Sequence, residues 1–299
     1  MTNKAGISKD VRQISGQDME QILGPATSRY FGSGFRTVQH TATVVSTTSE
    51  GPMQYIEARG SATYPPRWSL DASGRVRAVH LSGLDAVALT SRALSASGMD
   101  GLLQGARLSR VRVRAPAATT TTTRGLTVSL VVDPIAPASD RTWHVQARVG
   151  GFRVSVELEE QDTSSGALSR ELGPLDSVAS SISSVVESLE LPLGPLAVNH
   201  VVTPATPLSS IEELALLGQL SQVLVYASKG VDRSVVPNLW LRWLDLSRAP
   251  HPSTPRFQSR TTLTRDRTIR SGDVTIHDLR LRAELGYGAR AEAGFGYQA

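Results

Sequence analysis

The segment from Leu208 to Tyr226 is apolar around almost its whole circumference when read as a helix. Between Leu214 and Tyr226 the only long polar side chains are those of Gln219 and Gln222. A helix that is apolar on nearly every face must be buried on nearly every face. The pattern therefore predicts a central helix that other elements wrap around.

Most of the remaining periodic segments predict β-strands. Strands are expected near residues 38–45, 53–62, 108–114, 125–133, 142–159, 196–202, 238–246, 257–264 and 274–285, with Gly150 and Gly151 dividing the fifth into a hairpin. Residues 1–13 predict a loose tail, and Ser15 is expected to cap a short helix. The Gly- and Ala-rich tail after residue 285 predicts no element.

An internal repeat links the two halves of the chain. LSGLDAVALTSR at Leu81–Arg92 aligns without gaps on LSSIEELALLGQ at Leu208–Gln219, an offset of 127 residues that also sets residues 108–114 beside 235–241. A repeat this long indicates two copies of one small domain, not a solenoid unit. We expect an α+β double hotdog, in which two antiparallel sheets each wrap around a central helix. The expected domains are an N-terminal half at 1–160, a linker with an amphipathic helix at 161–195, and a C-terminal half at 196–299.

Composition narrows the class of protein. The 299 residues include no cysteine, which excludes disulfides, thiolate metal ligands and a cysteine nucleophile. The polar N-terminus and the lack of a long apolar run predict a cytoplasmic protein with no membrane segment. A net charge of +4 with 5% aromatic residues does not favour nucleic-acid binding. No Gly-rich phosphate loop, HExxH helix or GxSxG elbow is present, so neither a cofactor nor a metal is expected.

Arginines alternate along one predicted strand. Arg110, Arg112 and Arg114 share one face of it. This face is expected to be solvated, and the alternative is contact with a phosphate or an acyl-carrier protein.

The candidate catalytic residues are His200, Glu213 and Glu212. The order His200, Pro204, Pro207, Glu213 resembles the bacterial β-hydroxyacyl-carrier-protein dehydratases, a hotdog family with a His, two prolines three apart and a carboxylate six residues further on. A neutral His can act as a base while a helix N-terminus stabilises an oxyanion. Leu208 and Leu217 replace a glycine and a glutamine of that pattern, which argues against dehydration.

A structural role competes with catalysis at the helix starts. Ser209 or Ser210 with a carboxylate three residues later forms a capping box, and Ser82 with Asp85 forms another. His80 and His200 have an alternative interpretation as residues at strand ends, which is preferred for His80, and His40 and His144 receive no role.

The candidate substrate-binding residues are polar positions beside the two helices. They are Gln219, Gln222, Asp232, Arg233, Asp85 and His80. Two amides on a buried helix need partners. Either the wrapping sheet or a polar ligand can provide them.

Three segments together resemble the avirulence protein D (AvrD) family. They are ILGPATSRYFGSGFRTVQH at Ile22–His40, LSGLDAVALTSRAL at Leu81–Leu94, and PLSSIEELALLGQLSQVLVYASKGVDRSVVPNLWLRW at Pro207–Trp243. Leu241 stands where the family more often has Met.

The resemblance implies an enzyme that makes small acylated, sugar-derived signals of the syringolide or butenolide type. Such an enzyme joins a β-ketoacyl thioester, carried by coenzyme A or an acyl-carrier protein, to a ketose such as xylulose. The butyrolactone enzymes that make A-factor carry out related chemistry on a hotdog framework. Alternatives are a β-hydroxyacyl thioester dehydratase or hydratase and a non-catalytic acyl-binding regulatory protein, with a homodimer as a possible assembly.

Overall fold

Thirteen strands and two long helices make up the part of the chain that the computed structural model describes. That part comprises residues 11–15, 22–71, 73–100, 106–134, 142–160, 186–192, 197–202, 208–229, 239–248, 257–272, 274–285 and 288–298. The strands are β1 Val11–Ser15, β2 Gln39–Glu50, β3 Met53–Thr63, β4 Ala106–Arg114, β5 Leu126–Pro134, β6 Thr142–Val149, β7 Phe152–Glu160, β8 Val186–Pro192, β9 Ala197–Val202, β10 Trp240–Ser247, β11 Phe257–Ser271, β12 Val274–Glu284 and β13 Arg290–Gln298. The helices are α1 Gly83–Ala96 and α2 Ser210–Lys229, and short 3₁₀ turns occupy Ala26–Ser28 and Gly34–Thr37.

All thirteen strands belong to one sheet. Its order is β1-β8-β9-β11-β12-β13-β10-β4-β7-β6-β5-β3-β2. Outward from the central β4–β10 pair, one half runs β4-β7-β6-β5-β3-β2 and the other β10-β13-β12-β11-β9-β8, so the connectivity of the first set recurs in the second. The helix joins the corresponding strands in each set, α1 between β3 and β4 and α2 between β9 and β10. The two predicted sheets are therefore joined into one, because β10 pairs with both β4 and β13.

Both helices are buried as their patterns predict. In α1 all residues from Gly83 to Leu94 except Arg92 are buried, and the helix packs against strands of the N-terminal set. In α2 the buried side chains lie all around the helix and include Leu216, Leu220 and Val225, none more than 1% exposed. The two helices contact each other as well as the sheet. An antiparallel sheet that packs apolar side chains onto helices on one face leaves its other face to solvent.

The locally encoded expectations are confirmed. The helices begin at Gly83 and Ser210, which are 127 residues apart, the offset of the repeat. The Gly150–Gly151 turn joins β6 to β7, and both glycines have positive φ, 52° and 92°. Such φ values favour glycine because it lacks a Cβ.

Several expectations are wrong, and each concerns a segment whose structure depends on pairing with a strand that is distant in sequence. Residues 11–13, expected in a loose tail, lie with Ser15 in β1, which pairs with β8; the short helix expected after Ser15 falls on residues 16–21, outside the described residues. Residues 186–189, expected in the amphipathic helix, lie in β8; residues 161–185 are outside the described residues. The tail, for which no element was expected, contains β13. The offset of 127 residues would place the copy of β4 at residues 233–241, but β10 begins at Trp240. The bounds of the three expected domains stay a prediction.

Candidate functional site

A cavity of about 1050 Å³ is lined by residues of both helices and by residues from both faces of the sheet, beside the end of β4 at Arg114 and the start of β10 at Trp240. Its apolar wall includes Leu214 and Leu217 of α2 and Leu244, Leu281 and Phe295 of the sheet. Its polar lining near α1 comprises Arg29, Ser69, Arg77, His80 and Ser82. The cavity therefore combines an apolar trough with a polar end at a helix N-terminus.

The N-terminus of α1 forms that polar end. Ser82 is the N-cap: its Oγ accepts from the backbone N–H of Asp85 (3.1 Å), and the Asp85 carboxylate accepts from the N–H of Ser82 (2.8 Å), which confirms the predicted capping box. Gly83 and Leu84 come next and line the cavity with Ser82. The first N–H groups of a helix have no partner within it and carry partial positive charge, so they can stabilise an anion.

A buried cluster around Asp85 fixes this helix start. The Asp85 side chain is fully buried, and it does not line the cavity. Its Oδ1 accepts from the Tyr30 hydroxyl (2.7 Å) and lies 2.8 Å from His40 Nε2, while its Oδ2 lies 2.5 Å from the Tyr64 hydroxyl. The Tyr30 hydroxyl also lies 2.8 Å from Ser82 Oγ. The contacts of Tyr30 and Asp85 with Ser82 therefore hold the N-cap residue in position.

The ionisation of the cluster follows from burial and charge. Burial acts to raise the pKa of Asp85, but the hydrogen bond and charge of His40, followed by the hydrogen bonds of Ser82 and Tyr64, outweigh it, so the pKa is lowered. Burial and the negative charge of Asp85 raise the pKa of both Tyr30 and Tyr64. Asp85 is therefore an anion that two neutral phenols and an imidazole N–H donate to.

His80 lies at the edge of this cluster and lines the cavity. Its Nδ1 is 3.1 Å from the carbonyl oxygen of Ala78, which can only accept, so the neutral ring carries its proton on Nδ1. The lone pair is then on Nε2. The ring lies edge-on to Trp68, and the His80 carbonyl oxygen is 2.9 Å from the Tyr64 hydroxyl. His80 therefore has the tautomer of a general base at the cavity wall.

The carboxylates at the start of α2 are engaged in the fold. Glu212 and Ser209 form a capping box, with Ser209 N–H donating to Glu212 Oε2 (2.8 Å) and Glu212 N–H donating to Ser209 Oγ (3.3 Å), as predicted. Glu213 is 1% exposed and binds Arg248, whose Nη2 lies 2.7 Å from its Oε2. Neither carboxylate lines the cavity.

The two glutamines of α2 have different surroundings. Gln219 is buried: it accepts from Arg29 Nη1 (2.9 Å) and donates to the carbonyl oxygen of Phe31. One hydrogen-bond partner of Gln219 is therefore Arg29, a cation that lines the cavity. Gln222 lines the cavity itself.

The remaining candidates lie at or beyond the edge of the described structure. His200 is in β9, opposite Ser259 of β11 and Leu189 of β8, and its side chain is not described. Asp232 and Arg233, like Pro204 and Pro207, fall outside the described residues. Their roles stay predictions.

Sequence reasoning missed several members of this site. His40, given no role, binds Asp85, and Tyr30 and Tyr64 complete the same cluster. The strand-start His and the helix-cap Asp are 45 residues apart, and no local pattern connects them. Arg29 was missed because only the folded chain shows that it is 1% exposed and beside Gln219.

The described residues contain no group of three His, Asp or Glu side chains placed to hold a metal ion. They also contain no helix with the length and apolarity required to cross a bilayer.

Comparison with solved structures gives weak likenesses. They include a tesB protein of Mycobacterium avium subsp. paratuberculosis (12% identity, TM-score 0.40, 84% of this chain and 95% of that one) and a putative thioesterase of Novosphingobium aromaticivorans (11%, 0.41, 85% and 97%). The dehydratase domain of the CurJ module of curacin polyketide synthase is similar at 12% identity and a TM-score of 0.39, over 86% of this chain and 97% of that one. TM-scores below 0.5 are too low to assign a function.

Comparison at the sequence level is more informative. None of the curated proteins matches this sequence. The family model described as Pseudomonas avirulence D protein (AvrD) matches residues 15–189, more than half of the chain. This chain therefore belongs to the AvrD family.

Proposed function

We propose that this protein is an enzyme that acts on an acyl thioester and transfers the acyl group to a small ketose. The observation that carries the proposal is the cavity, which joins an apolar trough to the N-terminus of α1 and to His80. The apolar trough can hold an acyl chain. The helix N-terminus and His80 can serve the thioester carbonyl when it is attacked. Family membership supports the same class of chemistry.

The fold assignment belongs to this proposal. The same order of six strands with one helix between corresponding strands occurs twice in the sheet. We assign the two sets as two hotdog modules fused edge to edge, with β4 of one paired to β10 of the other. The cavity then lies where the modules meet, with its polar end on the first module and most of its apolar wall on the second.

The acyl transfer can be written with the groups that line the cavity. A ketose hydroxyl attacks the thioester carbonyl carbon, and its proton passes to His80 Nε2. The backbone N–H groups of Gly83 and Leu84 are the donors for the oxyanion that forms. The C–S bond then breaks, and the thiolate takes the proton back from His80 and leaves as a thiol, so the products are an ester and a thiol.

Polar residues near the cavity would hold the ketose. Gln222 lines the cavity and can donate to a sugar hydroxyl. Gln219 acts in this proposal by positioning Arg29, and Asp85 by positioning Ser82 and Tyr30. Asp232 and Arg233 stay candidates for the same task.

His200, Glu212 and Glu213 remain candidate catalytic residues beside His80. β9, which contains His200, borders β11, whose Thr261 lines the cavity. The hydrogen bonds of Glu213 to Arg248 and of Glu212 to Ser209 favour structural roles for both carboxylates. Substitution of each histidine in turn separates the two bases.

The activity is tested by mixing the protein with a β-ketoacyl thioester and a panel of ketoses, and by following thiol release and product mass. We expect thiol release that depends on the ketose and a product with the mass of the acyl ester or of its dehydrated ring form. Thiol release without any ketose would indicate a thioesterase. No thiol with any ketose would indicate a non-catalytic acyl-binding protein.

A further inference from the structure

One row of residues that crosses seven strands is strongly cationic. In the strand order β6, β7, β4, β10, β13, β12, β11, the residues directly opposite one another are Arg148, Arg153, Arg114, Trp243, Gly294, Arg280 and Arg265. Directly opposite residues of antiparallel strands point to the same face of the sheet. These seven therefore form a continuous row, the cationic row, with five arginines and no acid.

The cationic row lies on the face of the sheet away from the helices. The residues next to its members along the strands, among them Val113, Val154, Leu244 and Ala293, are buried on the helix side. Arg148, Arg153, Arg114 and Arg280 are exposed. The ring of Trp243 packs so closely against Gly294 that a Cβ there would lie 2.3 Å from Trp243 Nε1.

The charges of this row are not balanced within the fold. Arg265 pairs with Asp278 (3.4 Å), which also binds Arg242. The other four arginines form no ion pair with any residue in the described part of the chain. The next row, two residues along each strand, contains Arg112, Asp245, Glu292 and Arg282 and is internally paired, with Arg112–Asp245 at 3.4 Å and Arg282–Glu292 at 2.7 Å.

Stability of the sheet does not explain this arrangement. Like charges directly opposite each other on neighbouring strands are destabilising, and Arg148, Arg153 and Arg114 are three in succession. An unbalanced row of this kind attracts an anionic partner and speeds its association.

The position and length of the row indicate the kind of partner. Arg114, Trp243, Arg280 and Arg265 also line the cavity, so the cavity opens onto the cationic row. Seven strands at about 4.8 Å spacing place the outer arginines about 29 Å apart. The phosphates of a single nucleotide, such as those of coenzyme A, lie much closer together than that. An acidic protein surface matches the length, and a thioester tethered to that protein would reach the cavity beside it.

We propose that the cationic row is the docking surface for an acidic acyl-carrier protein that delivers the thioester to the cavity. The identity of the partner rests on the proposed acyl transfer, whereas the docking itself does not require turnover. Arg153 lies at the centre of the arginine triplet and does not line the cavity. Its reversal to glutamate places a carboxylate between two arginines, so the variant is expected to fold.

The test measures binding of an apo acyl-carrier protein, which has no thioester, to wild type, Arg153→Glu and the control Arg59→Glu by fluorescence anisotropy. Arg59 is an exposed arginine of β3, outside the row. We expect Arg153→Glu to weaken binding at least tenfold at low salt, and Arg59→Glu to change it less than twofold. With the carrier-bound β-ketoacyl thioester as substrate, Arg153→Glu should lower kcat/KM by raising KM. The N-acetylcysteamine thioester of the same acid should be unaffected.

Four results would overturn the inference. Equal weakening by both substitutions would show a general charge effect. An equal loss with the coenzyme A thioester would make the row a phosphate site. Binding of a duplex DNA probe in place of the carrier protein would make it a nucleic-acid surface, and an undiminished affinity of Arg153→Glu would remove the row from binding. If no thioester is turned over but carrier binding still depends on Arg153, the acyl transfer is wrong and the docking surface stands.

Discussion

The carboxylate of Asp85 sets the geometry of the α1 N-terminus. Four donors converge on it, from Tyr30, His40, Tyr64 and the backbone of Ser82. A fully buried carboxylate is stable only when such partners satisfy it. The sequence predicted its capping role because Ser82 and Asp85 are three residues apart. It could not predict the other donors, because they come from distant segments.

Asp85→Asn is expected to destabilise the protein and to remove part of its pH dependence. Hydrogen bonds to a charged group are worth roughly 1.5–3 kcal/mol each, so we expect a loss of about 3 kcal/mol near pH 7. Because the folded pKa of Asp85 is lowered, the folded state binds fewer protons than the unfolded state below about pH 4. The stabilisation is therefore complete above the unfolded pKa and is lost as the pH falls towards the folded one.

Urea unfolding between pH 3 and pH 7 checks this expectation. The gap between wild type and Asp85→Asn should narrow as the pH falls. Glu50→Gln, at the exposed end of β2, serves as the control and should stay within about 0.5 kcal/mol of wild type. A gap of constant size would mean that Asp85 has the same pKa in the folded and unfolded states, and a gap that widens as the pH falls would mean that Asp85 is neutral in the folded protein.

Secondary-structure elements were predictable where their signals are local. The capping boxes at Ser82 and Ser209 and the glycine pair after β6 mark boundaries that the structure reproduces. β13 was not predictable because its glycines are required by tertiary contacts that the sequence does not show: Gly294 leaves room for the Trp243 ring. Nor was β1, since it depends on pairing with β8, 173 or more residues away in sequence.

The start of α2 offers a matched pair of serine substitutions. Ser209→Ala removes the cap and should cost about 1 kcal/mol. Ser210 Oγ is buried without a hydrogen-bond partner, so Ser210→Ala should leave stability unchanged or raise it. In thermal unfolding, the Tm of Ser209→Ala should therefore be lower than that of wild type, and the Tm of Ser210→Ala should be equal to it or higher. Equal destabilisation would show that the cap is not Ser209.

The cationic row predicts an unusual response of the sheet to neutralisation. Arg153→Gln removes the middle of three opposing arginines, so we expect a higher Tm at low salt and a smaller gain at high salt, where charges are screened. Arg112→Gln in the next row removes ion pairs with Asp245 and Glu157 and should lower the Tm slightly. Melting curves at two salt concentrations distinguish these results, and a lower Tm for Arg153→Gln would contradict the unbalanced row.

At the scale of the whole molecule, the repeat explains why one site uses both halves. The periodic helices and their 127-residue offset were visible in the sequence, and they predicted two modules. The junction was not visible, because β4–β10 pairing and the α1–α2 contact join segments that are far apart in the chain. The cavity forms at that junction, so the sequence named His80 and Gln222 as candidates without showing that they line the same space.

The central claim is that acyl transfer takes place at the N-terminus of α1 with His80 as the base. The most direct measurement is the rate of ketose-dependent thiol release by wild type, His80→Ala and His200→Ala, with folding of each confirmed by its melting curve. Loss of a general base typically costs 10²- to 10⁴-fold, so His80→Ala should fall by about 100-fold or more and His200→Ala by much less. Full activity in His80→Ala, or a loss confined to His200→Ala, would contradict the claim.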